Sequence, residues 1–473
     1  MTKKLIYAMM AAFAVFAAVS CGKEKPVEEP EDPELPAKSY LRSEYMETYY
    51  YWNEQVNERN ASLDPKKYTI EQFFDAMLYA KDRWSWMSTG EEYAQSETGQ
   101  KVGTWGVVMS QPSEYYDDYT IHVAYIFPGS PFEKFGVTRG AALIAIGGQD
   151  IEDRKGSRFD SKKLEIYQTQ YGMNSNTFTF RLVDGRDTTF TAERATSLST
   201  RSYLAIKVFK PGDFPGLTEP VGYFNYRSFL YNFLDDIDNA MATFAQAGCK
   251  KLIIDLRYNG GGDSRASSLL ASYLAPTEAV GKILQKMIHN KELSSQDKTV
   301  LFDKNDKHFN IDEIYFITGY GSASASEVVI NGLKPFLGDK IHLVGQQTYG
   351  KPNGMYVLLY PGSNMDYQRF SDGDYSTLKY VFLPICFYNC NSLGDFIPDD
   401  GFVPNNEQSD DLYHDFGVEE RCIKSCLTHI VSGVFLEEQH PIKSKSGVSA
   451  GALIDDPVRT DPHYGTFKVL LPR

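Results

Sequence analysis

The chain is short of positive charge: 48 Lys and Arg stand against 62 Asp and Glu over 473 residues, for a formal charge of -14. No basic stripe is to be expected, which argues against a nucleic-acid partner, although net charge says nothing of fold and little of substrate. Histidine is also scarce, and none of the eight stands at a recognisable triad position. Cysteine is limited to six residues. Past Cys21 these are Cys249, Cys386, Cys390, Cys422 and Cys426, with two C-x-x-x-C spacings wider than the usual two-residue zinc knuckle, so no metal is assigned. Cys422 and Cys426 fall at i, i+4 of a helical pattern, where thiols simply pack. An exported chain can also pair them, so core packing or a disulfide is expected. No repeat of solenoid period is present. The apolar run Leu5 to Val19, roughly fifteen residues, is too short to span a bilayer comfortably.

What is present describes a globular protein. Hydrophobic residues make up 42% and aromatics 14%, and this length calls for two or three domains rather than one core. Met1-Thr2-Lys3-Lys4 ahead of the apolar run reads as a secretory signal over residues 1–20. Ala18-Val19-Ser20-Cys21 resembles a bacterial lipobox, with Ala18 where Leu is usual. The resemblance implies lipidation of Cys21, a membrane tie through that anchor, and a cell-envelope place as an outer-membrane lipoprotein, periplasmic or surface-exposed. Ordinary cleavage leaving a free Cys21 is the alternative. Residues 21–37 are Lys, Glu, Asp and Pro with little to bury, and read as an extended tether running to Pro36. Its acidic start resembles the surface-export signal of Bacteroides-type lipoproteins.

Residues 38–100 read as helices, with Leu41, Tyr45, Tyr49, Trp52 and Val56 on one stripe and a capping box at Thr69 and Gln72. No chemistry is evident there. Residues 101–195 change to short strands: Ile121 to Phe127 alternate as a half-buried strand, Ala142 to Ile146 form a buried one, and Asp184-Gly185 turns a hairpin. Pro128 to Gly140 followed by Leu143 to Asp150 resembles a PDZ domain, which captures an extended C-terminus at a sheet edge. The resemblance puts the carboxylate loop at Gly103–Val108, with Trp105, Gly106 and Val107 as peptide-binding residues. Arg139-Gly-Ala departs from the usual pattern, which has an acidic residue after that glycine, and a unit that only packs or gates is the alternative. From about 200 the pattern alternates strand and helix, with strands at Tyr223–Tyr226, Lys251–Leu256, Ile314–Thr318 and Ile341–Val344, as expected of a mainly parallel layered sheet. The residues from His440 onward are irregular and are expected to wrap the surface.

Two glycine- or serine-rich turns and a lysine stand out in this last region. Arg257-Tyr-Asn-Gly-Gly-Gly262 is either a tight turn or a set of amides aimed at an oxyanion. Gly321-Ser-Ala-Ser-Ala-Ser-Glu327 opens a helix, where the dipole favours negative charge, or is merely a cap. Lys351 becomes a base only if burial lowers its pKa. Taken in order, Asp255–Gly262, Gly321–Glu327 and Tyr349-Gly-Lys351 resemble the C-terminal processing, or tail-specific, serine protease family over roughly residues 40–435.

That resemblance implies an α/β and α+β multidomain fold: an N-terminal helical region, a PDZ-like β-rich domain, and over 200–435 a layered α/β protease core of crotonase/ClpP-like type, before an extension at 436–473. It implies a peptidase for extended or C-terminal polypeptide segments, with Ser324 as nucleophile and Lys351 as base. Ala325 with Gly261 or Gly262 would form the oxyanion hole, Ser322 and Ser326 would be structural, and no cofactor is needed. Pro398 to Gly401 looks like the family's late segment beside the site. The family often has a glutamine four residues after the lysine. Met355 stands there, so another group must orient Lys351. A catalytically weak or inactive lipid-anchored peptide-binding protein is the alternative.

Overall fold

The computed structural model describes residues 32–110, 120–153, 160–304, 311–437 and 467–471. Strands Val221–Tyr226, Lys251–Asp255, Glu313–Thr318 and Ile341–Gly345 are apolar along nearly their whole length, the pattern of a parallel sheet covered on both faces. They pair in parallel in that order, with Tyr203–Phe209 antiparallel at one edge and Asn406–Glu407 at the other. Ile254 and Phe316 on one face pack against Ile237, Met241 and Phe244 of one helix and Val329 and Leu333 of another. On the other face Ile253, Tyr315 and Ile317 meet Cys422, Ile423, Cys426 and Leu427 of the helix Arg421–Ser432.

A second sheet lies beyond the helices, built mainly from Asn353–Tyr360, Tyr380–Leu383, Ile385–Cys390 and Ile283–Ile288. Two of its strands differ from expectation. Trp86–Thr89, in the region read as purely helical, pairs antiparallel with Tyr380–Leu383. Phe467–Leu470, read as surface wrapping, runs parallel to Met355–Val357 with Phe467 fully buried. Both strands find partners far off in sequence. The tether is also shorter than expected: Leu35–Tyr40 is helical, and buried Lys38 binds Asp32 at 2.7 Å and the Tyr68 carbonyl at 2.6 Å. The capping box at Thr69 and Gln72 is present.

Residues 103–195 form a third sheet, with Val107–Ser110, Ile121–Ile126, Ala142–Ile146, Ser175–Arg181 and Asp187–Glu193 in that order and the helix Ser161–Tyr171 alongside. Ile121–Ile126 was expected to be half-buried but is covered on both faces. Val123 packs in the small unit's own core, while Ala124 and Tyr125 join the cluster that includes Ile253 and Tyr258 of the central layer. The five described cysteines are buried unpaired thiols, so of the two expectations packing applies. Among the described residues no group of His, Cys, Asp or Glu could hold a metal ion, and no helix is long and apolar enough to cross a membrane. The Cys21 expectation lies outside the described residues.

Candidate active site

Parallel strands present like ends together, so the loops that follow neighbouring strands converge. Here Leu256–Gly262, Gly319–Ser324 and Gln346–Lys351 follow three adjacent strands. Backbone bonds join them: Ala323 N–H donates to the Asn259 carbonyl at 3.2 Å, and Tyr349 N–H to the Ser322 carbonyl at 2.9 Å.

Three serines occupy the middle turn with different partners. Ser322 Oγ donates to the Leu256 carbonyl and Ser326 Oγ to the Asn259 carbonyl, each at 2.8 Å. Both hydroxyls hold the turns together. Ser324 Oγ is buried and has no hydrogen-bond partner, an arrangement that calls for an explanation because such groups are normally paired. Ser324 is also the only non-glycine with positive φ among the described residues, at φ 58 and ψ -110. Strain of this kind costs about 1–3 kcal/mol and gathers at functional sites. A serine in a strained strand-to-helix turn is a recurring way to present a nucleophile.

Glu327 brings the serine and lysine turns together. Its Oε2 accepts from the N–H groups of Ser324 and Lys351, both at 2.9 Å, so the two backbones are neighbours around one oxygen atom. Its Oε1 accepts from Thr348 Oγ1 at 2.6 Å and Gly350 N–H at 2.7 Å. Burial pushes its carboxyl upward while these four donors pull it down, and burial prevails. Gly350 has φ 81, and a Cβ there would fall 2.1 Å from the Asp399 carbonyl, so only glycine lets the late segment close over the lysine turn. Phe402 N–H donates to Thr348 Oγ1 at 2.7 Å from that segment.

Lys351 is 1% exposed. Burial brings its ammonium down to about 7, although the charges of Asp82 and Glu327 favour protonation. Met355 is a core residue of the strand beyond. The charges that Lys351 feels therefore come from Glu327 and from Asp82 in the N-terminal region, which carried no chemistry in the sequence reading. Asp82 is held by Tyr50 OH at 2.7 Å and by the Trp84 and Ser85 amides at 3.0 Å. The S-x-x-E spacing of Ser324 and Glu327 is a legible capping signal, whereas nothing local marks Asp82.

Ala325 opens the helix Ala325–Leu337, where first-turn amides lack intrahelical acceptors. The Gly261 N–H donates to Asn259 Oδ1 at 2.9 Å, so of the two glycines named Gly262 has the amide not taken up in this way. Ahead of them, buried Arg257 binds Asp255, Asp410 and Glu420. Arg139 reaches in from the small sheet and donates to Tyr258 OH at 2.6 Å and Asp410 at 2.7 Å. Burial would raise Asp410, but the two arginines hold it at about 2. Arg139, which precedes Gly140, therefore joins the small sheet to the glycine turn.

Trp105 is a core residue: its ring packs on Phe178 and Phe132, and Nε1 donates to the Tyr171 carbonyl at 3.0 Å. The Gly106 N–H donates to Thr104 Oγ1 at 3.1 Å. Val107 lies on Val107–Ser110, which among the described residues pairs only with Ile121–Ile126, at the edge of the sheet. A cavity of about 570 Å³ runs from this edge to Gly260–Gly262. A more open cleft of about 600 Å³ is lined by Tyr320, Tyr349, Asp399, Asp400 and Arg83.

Comparison with known proteins agrees with this layout. Residues 220–368 match the model of peptidase family S41, and residues 43–86 that of the peptidase S41 N-terminal domain. The chain is 25% identical to a chloroplastic C-terminal processing peptidase of Tetradesmus obliquus, covering 47% of this chain and 46% of that protein. It is 24% identical to the chloroplastic carboxyl-terminal-processing peptidase 3 of Arabidopsis thaliana, covering 57% and 50%. The chain thus spans about half the length of these curated relatives. A crystal structure from Bacteroides fragilis, assigned by its description to the S41 proteases, shares the fold at 19% identity with a TM-score of 0.63, covering 86% of this chain and 99% of that one. The likeness to peptidase family S41 thus lies in residues 43–86 and 220–368, less than half of the chain.

Proposed function

We propose that the chain is a serine endopeptidase that hydrolyses extended or C-terminal polypeptide segments, with Ser324 as nucleophile and Lys351 as general base. One contrast carries this reading: of three serines in one turn, the strained and buried Ser324 alone keeps a hydroxyl with no partner. A lysine brought down to about 7 is neutral often enough near neutral pH to take its proton. Ser324 attacks the scissile carbonyl as Lys351 takes the hydroxyl proton. The Ala325 and Gly262 amides receive the developing oxyanion, and the proton passes to the leaving amine. Water then releases the acyl group by the same route in reverse. The edge strand at Val107 adds the substrate to the small, PDZ-like sheet through backbone bonds. Cys21 carries a lipid anchor that keeps the enzyme at the cell envelope.

The test is digestion of an unfolded protein substrate by the wild-type chain, Ser324→Ala and Lys351→Ala. Wild-type cleavage with both variants at background is expected, whereas equal behaviour of all three would sink the mechanism. A second reading, peptide binding without cleavage, draws on the complete enclosure of Ser324. A serine-reactive phosphonyl probe separates the two: labelling of Ser324 supports the enzyme, and an unreactive folded chain supports the binder.

A further inference from the structure

The cavity between the Val107 edge and the glycine turn is lined by an arginine, Arg227, that no carboxylate pairs with among the described residues. Arg227 follows strand Val221–Tyr226 and lines this cavity with Gly260–Gly262. Its segment is clamped against the glycine turn on both sides. Asn259 Nδ2 donates to the Tyr226 carbonyl at 2.8 Å, Phe229 N–H to the Gly261 carbonyl at 3.0 Å, and Asp263 N–H to the Phe229 carbonyl at 2.8 Å. Residue 227 is therefore fixed relative to the candidate oxyanion amides.

The other charges on the cavity wall are already engaged. Lys468 is paired with Glu97. Glu92 accepts from Thr89 in a helix cap. Arg194 donates to the carbonyls of Met173, Gly103 and Tyr171. The Arg227 guanidinium makes one hydrogen bond, from Nη2 to the Arg201 carbonyl at 3.2 Å, and lies 5.1 Å from the centroid of Phe127. Its Nε is buried with no partner, and no carboxylate pairs with it among the described residues. A guanidinium is always charged and offers a planar fork of donors matched to a carboxylate. A neighbouring arginine shows the contrast, since Arg201 is paired with Asp236 at 3.0 Å.

We infer that Arg227 is a specificity-determining residue that takes a carboxylate of the polypeptide lying in this cavity. The group is either the substrate's free C-terminus or an Asp or Glu side chain, held beside the glycine turn. The inference rests on the peptidase reading for the identity of the ligand. Binding can nevertheless be measured without turnover, so the two ideas fail separately: a wild-type chain that cleaves nothing sinks the peptidase, not the carboxylate site.

The experiment uses the full chain carrying Ser324→Ala. Its probe is a fluorescein-labelled dodecapeptide of neutral residues, made as the free acid, as the C-terminal amide, and as the amide with one internal Asp. Fluorescence anisotropy gives each affinity. At least one acid-bearing form should bind about tenfold more tightly than the neutral amide. Free-acid preference assigns the C-terminus, and preference for the Asp amide assigns a side chain. Adding Arg227→Gln should remove the preference, while Arg227→Lys, which keeps the charge and stem but loses the fork, should keep a reduced one. Equal binding of all three peptides overturns the inference, as does a preference that survives undiminished in both Arg227 variants.

Discussion

At the scale of single residues, the site depends on two groups held away from their ordinary states, the strained Ser324 and the desolvated Lys351. A base must be neutral to accept a proton, so kcat/KM should fall as pH drops through about 7, where Lys351 becomes protonated. A pH–rate profile flat across that limb would rule lysine out. Glu327 is a positioning residue. Glu327→Gln keeps its shape but turns one acceptor end into a donor facing N–H or O–H groups. The expected loss is about 2–3 kcal/mol in urea unfolding, together with reduced kcat. The candidate pair itself was legible because Ser324 and Lys351 stand in short ordered motifs. Asp82 was not, because its effect on Lys351 exists only after the N-terminal region has folded against the core.

At the scale of elements, the periodicities that could be read are local ones. The Thr69 cap and the Asp184-Gly185 hairpin appear where their residues imply. Trp86–Thr89 and Phe467–Leu470 escaped notice because a short strand is specified by the partner it joins, and these partners lie far away in the sequence. The Ser324 helix packs tightly against the second sheet at Gly332. A Cβ there would stand 2.3 Å from Leu284 Cδ1 and 2.8 Å from the Leu284 carbonyl. Gly332→Ala should therefore push the helix from the strand Ile283–Ile288 and cost about 1–3 kcal/mol. Calorimetry checks this as a lower Tm, and an unchanged Tm would mean that the contact is soft.

At the scale of the whole molecule, Arg139 joins two units whose separate patterns were readable and whose junction was not. In the sequence it only precedes the glycine after which an acidic residue is usual. In the fold it shares Asp410 with Arg257 and donates to Tyr258, next to the glycine turn. Arg139→Met should leave that network short of charge at a cost of about 3–5 kcal/mol, as expected when one member of a buried ionic set is removed. Limited proteolysis should then cut near residues 195–203 sooner than in the wild type. A digestion pattern identical to the wild type would mean that apolar packing alone seats the small sheet.

The strand Phe467–Leu470 is inserted between Gly262–Asp263 and Met355–Val357. Removal of that strand would leave every candidate catalytic group in the chain and open a slot beside the glycine turn. The late strand is thus the keystone of the sheet behind the candidate site, and a chain shortened by a few dozen residues would lose the one piece that joins its two neighbours.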